Sequence, residues 1–175
     1  KKKKITEGNE TATISIVNVN NAIEDGDQAV TVTLVENAAP VVDLNGSAGE
    51  GGNTSFSYSE GDSATVIAPS ATLTDSNNDD ITSMTVTLTA RPDGDATEAL
   101  ALSTLAATAA DNEDLSVNYT ESTGVLRISG SASASVYQSV LCGVSYVNTS
   151  QNPTESAREV TVVANDGTAN SQSRA

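Results

Sequence analysis

The stretch VTVVANDGT at 160–168 constrains the chain most, because Val160, Val162 and Val163 ahead of Asn165, Asp166 and Gly167 read as a long strand running into a turn. Such a strand needs a sheet to join, and the sheet needs a second apolar layer over its inner face. After Gly167 come only the eight residues TANSQSRA, polar or small and without apolar alternation. The sheet is therefore expected to lack its closing strand within the chain, leaving Val160, Val162 and Val163 as an open acceptor edge.

A spare strand sits at the other end. TATISIVNV at 11–19 places Ala12, Ile14 and Ile16 on one face before the phase slips at Val17 and Val19. An acidic turn, IEDGDQ, leads to the alternating AVTVTLV. Two strands alone make a poor sheet, so these are expected to pair with something else. ENAAP at 36–40 reads as a boundary, since Pro40 removes a donor where a strand would otherwise continue. The expected division is a two-strand extension over 1–38, serving as linker or donor strand, and a module over 39–175.

Within the module, VVDL, TSFSYS, ATVIA, ATLTD and ITSMTVTLT read as strands, the last with Met84, Val86 and Leu88 on its inner face. Residues 90–114 carry a turn at Pro92 to Gly94 and then a weakly apolar stretch compatible with strand or short helix. LSVNY, TESTG and VLRIS form a hairpin with Gly124 where positive φ is needed. SASVYQSVLCGV is the one helical signal, with Val136 and Val140, and Tyr137 and Leu141, four apart. VSYVN then resumes the sheet.

Charge narrows the partners. There are 23 acidic residues against eight basic ones and no His, for a net charge of −15. Four of the cations are Lys1 to Lys4, which match nothing downstream and read as a tag or processing scar. The rest are the scattered Arg91, Arg127, Arg158 and Arg174, so no basic patch exists for nucleic acid. No apolar run approaches a membrane span and no secretory leader is visible. The single Cys142 rules out an intrachain disulfide and reads as a buried structural thiol. Without His there is no Ser–His or Cys–His nucleophile pair, and an enzyme is not expected. Five N-x-[ST] sequences, at Asn9, Asn45, Asn53, Asn118 and Asn148, matter only in a source that glycosylates.

Five segments in order, APVVDLNG (39–46), ATLTDSNNDDITSMTVTLT (71–89), TGVLRISG (123–130), VYQSVLCGVSYVNTSQNP (136–153) and REVTVVANDGT (158–168), resemble the cadherin-like modules of large repetitive surface adhesins. The two leading strands resemble the end of a neighbouring cadherin-like or Calx-β repeat. The resemblance implies an all-β Greek-key sandwich of the cadherin/Ig-like kind with one short helix, display outside the cell, and calcium that stiffens the joints between repeats. It implies as ligands Asp75, Asn77, Asp79 and Asp80 of the acidic loop, Glu60 as the module-base acid, and Glu36 with Asn37 in the linker, which departs from the cadherin DxNDNxP pattern. Against this stands the ordinary reading of DSNNDD as a self-capping surface turn.

The expected function is a structural, adhesive repeat or filament subunit, calcium-stiffened and joined head to tail to other copies or neighbouring repeats. In the resembling repeats a strand like 11–19 closes the module that precedes it. Thr11, Ala12, Ile14, Ile16, Val17 and Val19 then either complete the sandwich of another copy or close a preceding module on the same polypeptide. The competing reading is a module that binds a carbohydrate or protein ligand. That role requires an exposed aromatic cluster or a deep pocket, whereas Tyr58, Tyr119, Tyr137 and Tyr146 read as core.

Overall fold

The computed structural model describes residues 10–15 and 29–34 as backbone, and residues 36–46 and 52–175 in full. The chain divides into two compact units, Lys1–Asn37 and Ala38–Ala175. In the first, β1 (Glu10–Ser15) and β2 (Ala29–Leu34) pair antiparallel with each other, Ile14 opposite Val30 and Thr11 opposite Thr33. Ile16, Val17 and Val19 of the expected donor strand lie outside the described residues, as do Lys1 to Lys4.

The second unit is built from strands in sheets with two short helices, an all-β, sandwich-like architecture. Its largest sheet runs in the order β11 (Val160–Asn165), β6 (Ile81–Leu88), β9 (Val125–Ala132), β8 (Ser116–Thr120). A three-stranded sheet places β10 (Val144–Asn148) between β4 (Thr65–Val66) and β7 (Glu98–Leu102). A third pairs β3 (Val41–Asp43) with β5 (Thr72–Thr74). Strand β6 alternates as its sequence dictates, with Met84, Val86 and Leu88 buried. Their neighbours in the core include Leu126 and Ile128 of β9, Val162 and Ala164 of β11, and Tyr137, Val140 and Leu141 of helix α2 (Ala134–Leu141). Each Val, Leu, Ile or Met side chain among them contributes about 1.5–3 kcal/mol on burial.

Three expectations change. TSFSYS is irregular chain rather than strand. The ambiguous stretch resolves into β7 and a second helix, α1 (Thr104–Asp111), where one helix was expected. Ser103 caps α1 by accepting the Ala106 N–H, and Ala106 and Ala110 are its buried face. A helix of small residues packs close, and a Cβ on Gly143 would stand 2.4 Å from the Ala106 Cβ.

The third change is at β11. In register with β6, Thr161, Val163 and Asn165 face that strand, and Val160, Val162 and Ala164 turn their backbone groups outward. That outer edge is not open. The Val162 N–H donates to the Arg174 carbonyl (2.8 Å) and the Arg174 N–H returns to the Val162 carbonyl (3.1 Å). The Ser171 N–H donates to the Ala164 carbonyl at 2.7 Å, and the Ser171 hydroxyl accepts the Ala164 N–H. Apolar alternation was the wrong test for these residues, because main-chain pairing requires only an N–H and a C=O at each step.

Candidate functional site

The acidic loop 75–80 connects β5 to β6. Asp75 folds it by accepting the Asn77 N–H (3.0 Å) and the Asp79 N–H (3.4 Å) on Oδ1. Asn78 takes the left-handed conformation, φ 59°, that Asn tolerates. Asn77 donates its amide to Asp79 Oδ2 and accepts on Oδ1 the N–H of Ala38, the first residue of the unit (3.1 Å). The loop and the entry to the module are thus tied together.

One atom is left over. Asp75 is 9% exposed, and its Oδ2 is the one buried side-chain oxygen or nitrogen without a hydrogen-bond partner among the described residues. A carboxylate oxygen withdrawn from water with no donor is costly, and a bound water or a cation relieves it.

The five expected ligands of the second unit do not all assemble. Asp75, Asn77 and Asp79 are joined by the bonds above. Asp80 instead accepts the Ser131 hydroxyl at 2.8 Å. Glu60 lines a cavity with residues 152–158, which lead into the Val160 end of β11, whereas the acidic loop leads into the Ile81 end of β6. Glu36 and Asn37 belong to the first unit. Among the described residues no three carboxylate or thiol side chains come close enough to hold one ion.

That cavity, about 560 Å³, is the feature the sequence did not reveal. Phe56, Tyr58 and Tyr146 meet edge to face, with Tyr146 centred 6.1 Å from Phe56 and 5.0 Å from Tyr58. Tyr146 is core as expected, but Tyr58 is half-buried and Phe56 is 39% exposed, both lining the cavity. Arg158, which also lines the cavity, belongs to an ion cluster. The Arg158 guanidinium forks onto Glu98, from Nε to Oε2 at 2.8 Å and from Nη2 to Oε1 at 3.2 Å. Nη2 also reaches Asp93 Oδ2 (2.6 Å), and Nη1 donates to the carbonyls of Thr154 and Ser156. All five of its N–H groups are used. Tyr146 donates its hydroxyl to Glu98 at 2.6 Å, and Asp93 accepts from Asn148 (2.7 Å) and from the Thr154 N–H (2.8 Å).

The electrostatics follow from these bonds. Hydrogen bonds from Thr154 and Asn148, with Arg158 beside them, hold the Asp93 carboxyl down at about 2. Burial pushes Glu98 up, but Arg158, Tyr146 and the Asp93 N–H outweigh it and keep that carboxyl below its ordinary value. Burial, reinforced by Glu98, drives the Tyr146 phenol up to about 12. Burial likewise raises the Cys142 thiol, which donates to the Ala71 carbonyl at 3.2 Å.

Compared with protein families, curated proteins and solved structures, the chain finds no match. Among the described residues no helix is long and apolar enough to cross a membrane.

Proposed function

We propose that this chain is a structural, adhesive module of a repetitive extracellular protein, a Greek-key sandwich of the cadherin-like kind, stiffened by calcium at its acidic loop. The observation that carries this reading is the orphaned, buried Asp75 Oδ2 in a loop hydrogen-bonded to the first residue of the module. Calcium is a hard cation that takes six to eight oxygens, and bound there it would neutralise charge and lock the entry segment to the loop. Asp75 and Asp79 would supply the carboxylates, and carbonyls and water the rest. Two carboxylates fit the weak end of the calcium range, about 10⁻⁴–10⁻³ M, where extracellular modules operate.

In the same reading the module joins its neighbours head to tail, along one polypeptide or through strand donation by residues 11–19 of another copy. Donation at β11 would first displace residues 170–174.

Calorimetric titration with calcium chloride tests the site. One weak binding event is expected, weakened at least about tenfold in Asp75→Asn/Asp79→Asn and unchanged in Asp80→Asn, whose side chain is turned to Ser131. Absence of binding, or equal weakening in the Asp80 variant, contradicts the proposed site.

A further inference from the structure

The cavity beside Arg158 carries an inference independent of calcium. Its walls are preformed. The 149–158 loop is pinned by Arg158 on the Thr154 and Ser156 carbonyls, by Asp93 on the Thr154 N–H, and by the Asn148 side-chain oxygen on the Ser150 N–H (2.9 Å). On the facing wall, the Tyr58 hydroxyl donates to the Asp62 carbonyl (2.7 Å) and accepts the Asn148 N–H (3.2 Å). A ligand entering such a site orders little that is not ordered already, and about 560 Å³ lies in the range of small-molecule sites.

The groups left over on these walls define what would fit. Glu60, Asn152 and Glu155 line the cavity, and no hydrogen bond engages their side chains within the described residues. They offer four carboxylate oxygens and one amide, so they ask for a ligand with several donors. No cation is free to answer an anion, because every Arg158 N–H is committed, and a net charge of −15 repels acidic ligands. The aromatic trio distinguishes the two remaining donor-rich classes. An ammonium group is best held among several open ring faces. Here Tyr146 is 4% exposed and both other rings cross it at steep angles, while Tyr58 is half-buried with its hydroxyl committed, so Phe56 is the most open ring of the three. One open ring in a cavity with several unengaged acceptors suits a molecule with C–H on one face and hydroxyls around its rim. We infer that this cavity binds a neutral pyranose sugar, seated on Phe56 and hydrogen-bonded by Glu60, Asn152 and Glu155.

The test is an amide NMR titration of the full chain with lactose, cellobiose and N,N′-diacetylchitobiose, each taken to tens of millimolar, with lysine amide as the cationic probe. At least one sugar should give saturable shifts confined to residues 56–60 and 146–158. Phe56→Ala should weaken that binding about tenfold with the spectrum elsewhere intact, because the ring is a surface group. Leu105→Ser, at a residue 84% exposed on α1, should leave it unchanged. Glu60→Gln/Glu155→Gln should keep measurable sugar binding, since amides still accept hydrogen bonds from hydroxyls. Three results would each overturn the inference. They are no saturable shift from any of the three sugars, a sugar affinity left unchanged by Phe56→Ala, and lysine amide binding here when no sugar does.

Discussion

Arg158 spends all five of its N–H groups on the module, and that makes it the residue on which the cavity end of the fold depends. Removing a guanidinium from between two enclosed carboxylates leaves them uncompensated, which outweighs the packing that a methionine would recover. Arg158→Met is expected to lower stability by about 3 kcal/mol or more in chemical denaturation. Acid should find the same cluster. Asp93 and Glu98 both ionise more readily folded than unfolded, so their contribution is complete above the unfolded carboxyl range near pH 4 and fades as pH falls toward about 2. The melting temperature should therefore drop over that window, and less steeply in Arg158→Met, where Glu98 loses the largest cause of its lowered pKa while Thr154 and Asn148 still hold Asp93 down. An equal slope in the two proteins would show that other carboxylates govern acid unfolding. This cluster had one legible trace in the sequence. Glu98 stands in phase with Leu100 on the inner face of EALAL, and an acid in core phase in a chain with four arginines calls for one of them. Which arginine answers it depends on contacts between residues 60 apart, and no local pattern records those.

At the scale of elements, strong periodicity was enough and weak periodicity was not. Strand β6, the β8–β9 hairpin and α2 follow from side-chain alternation or four-residue spacing, and Gly124 has the expected positive φ of 69°. Helix α1 was ambiguous because alanine and threonine carry little hydrophobic contrast between faces. The bulge in β9 was invisible. Between Ile81 opposite Ala132 and Ser83 opposite Ser129, strand β9 carries one extra residue, and Gly130 absorbs it at φ 135°. The Tyr137 hydroxyl donates to the Gly130 carbonyl at 2.6 Å, and a Cβ there would meet Leu115 Cδ2 at 2.8 Å. Gly130→Ala should cost about 1–3 kcal/mol by denaturant unfolding, and a change under half of that lower bound would mean that the bulge relaxes freely. The tail on β11 gives a second prediction at this scale. Deleting residues 170–175 removes three main-chain hydrogen bonds and uncovers the edge. Sedimentation should then detect concentration-dependent association stronger than that of the intact chain, as strand donation requires. A deleted chain that stays monomeric at high concentration would remove this edge as an assembly site.

Over the whole molecule the dominant fact is charge. With 23 acids and eight bases the surface repels itself, and any salt relieves some of that. Specific calcium binding must stand out above this background. The acidic loop was legible as a candidate, since DSNNDD sets three acids within six residues between two strand patterns. The orphaned oxygen was not, because it depends on which side of Asp75 the folded chain closes off. The measurement that bears most directly on the account is a thermal melt of the wild-type chain and of Asp75→Asn, in millimolar calcium and in chelator, at one ionic strength. Ligand that binds the native state alone raises the midpoint by mass action. The account predicts a higher midpoint in calcium for the wild type and coincident midpoints for Asp75→Asn. Identical wild-type midpoints in calcium and in chelator would contradict it.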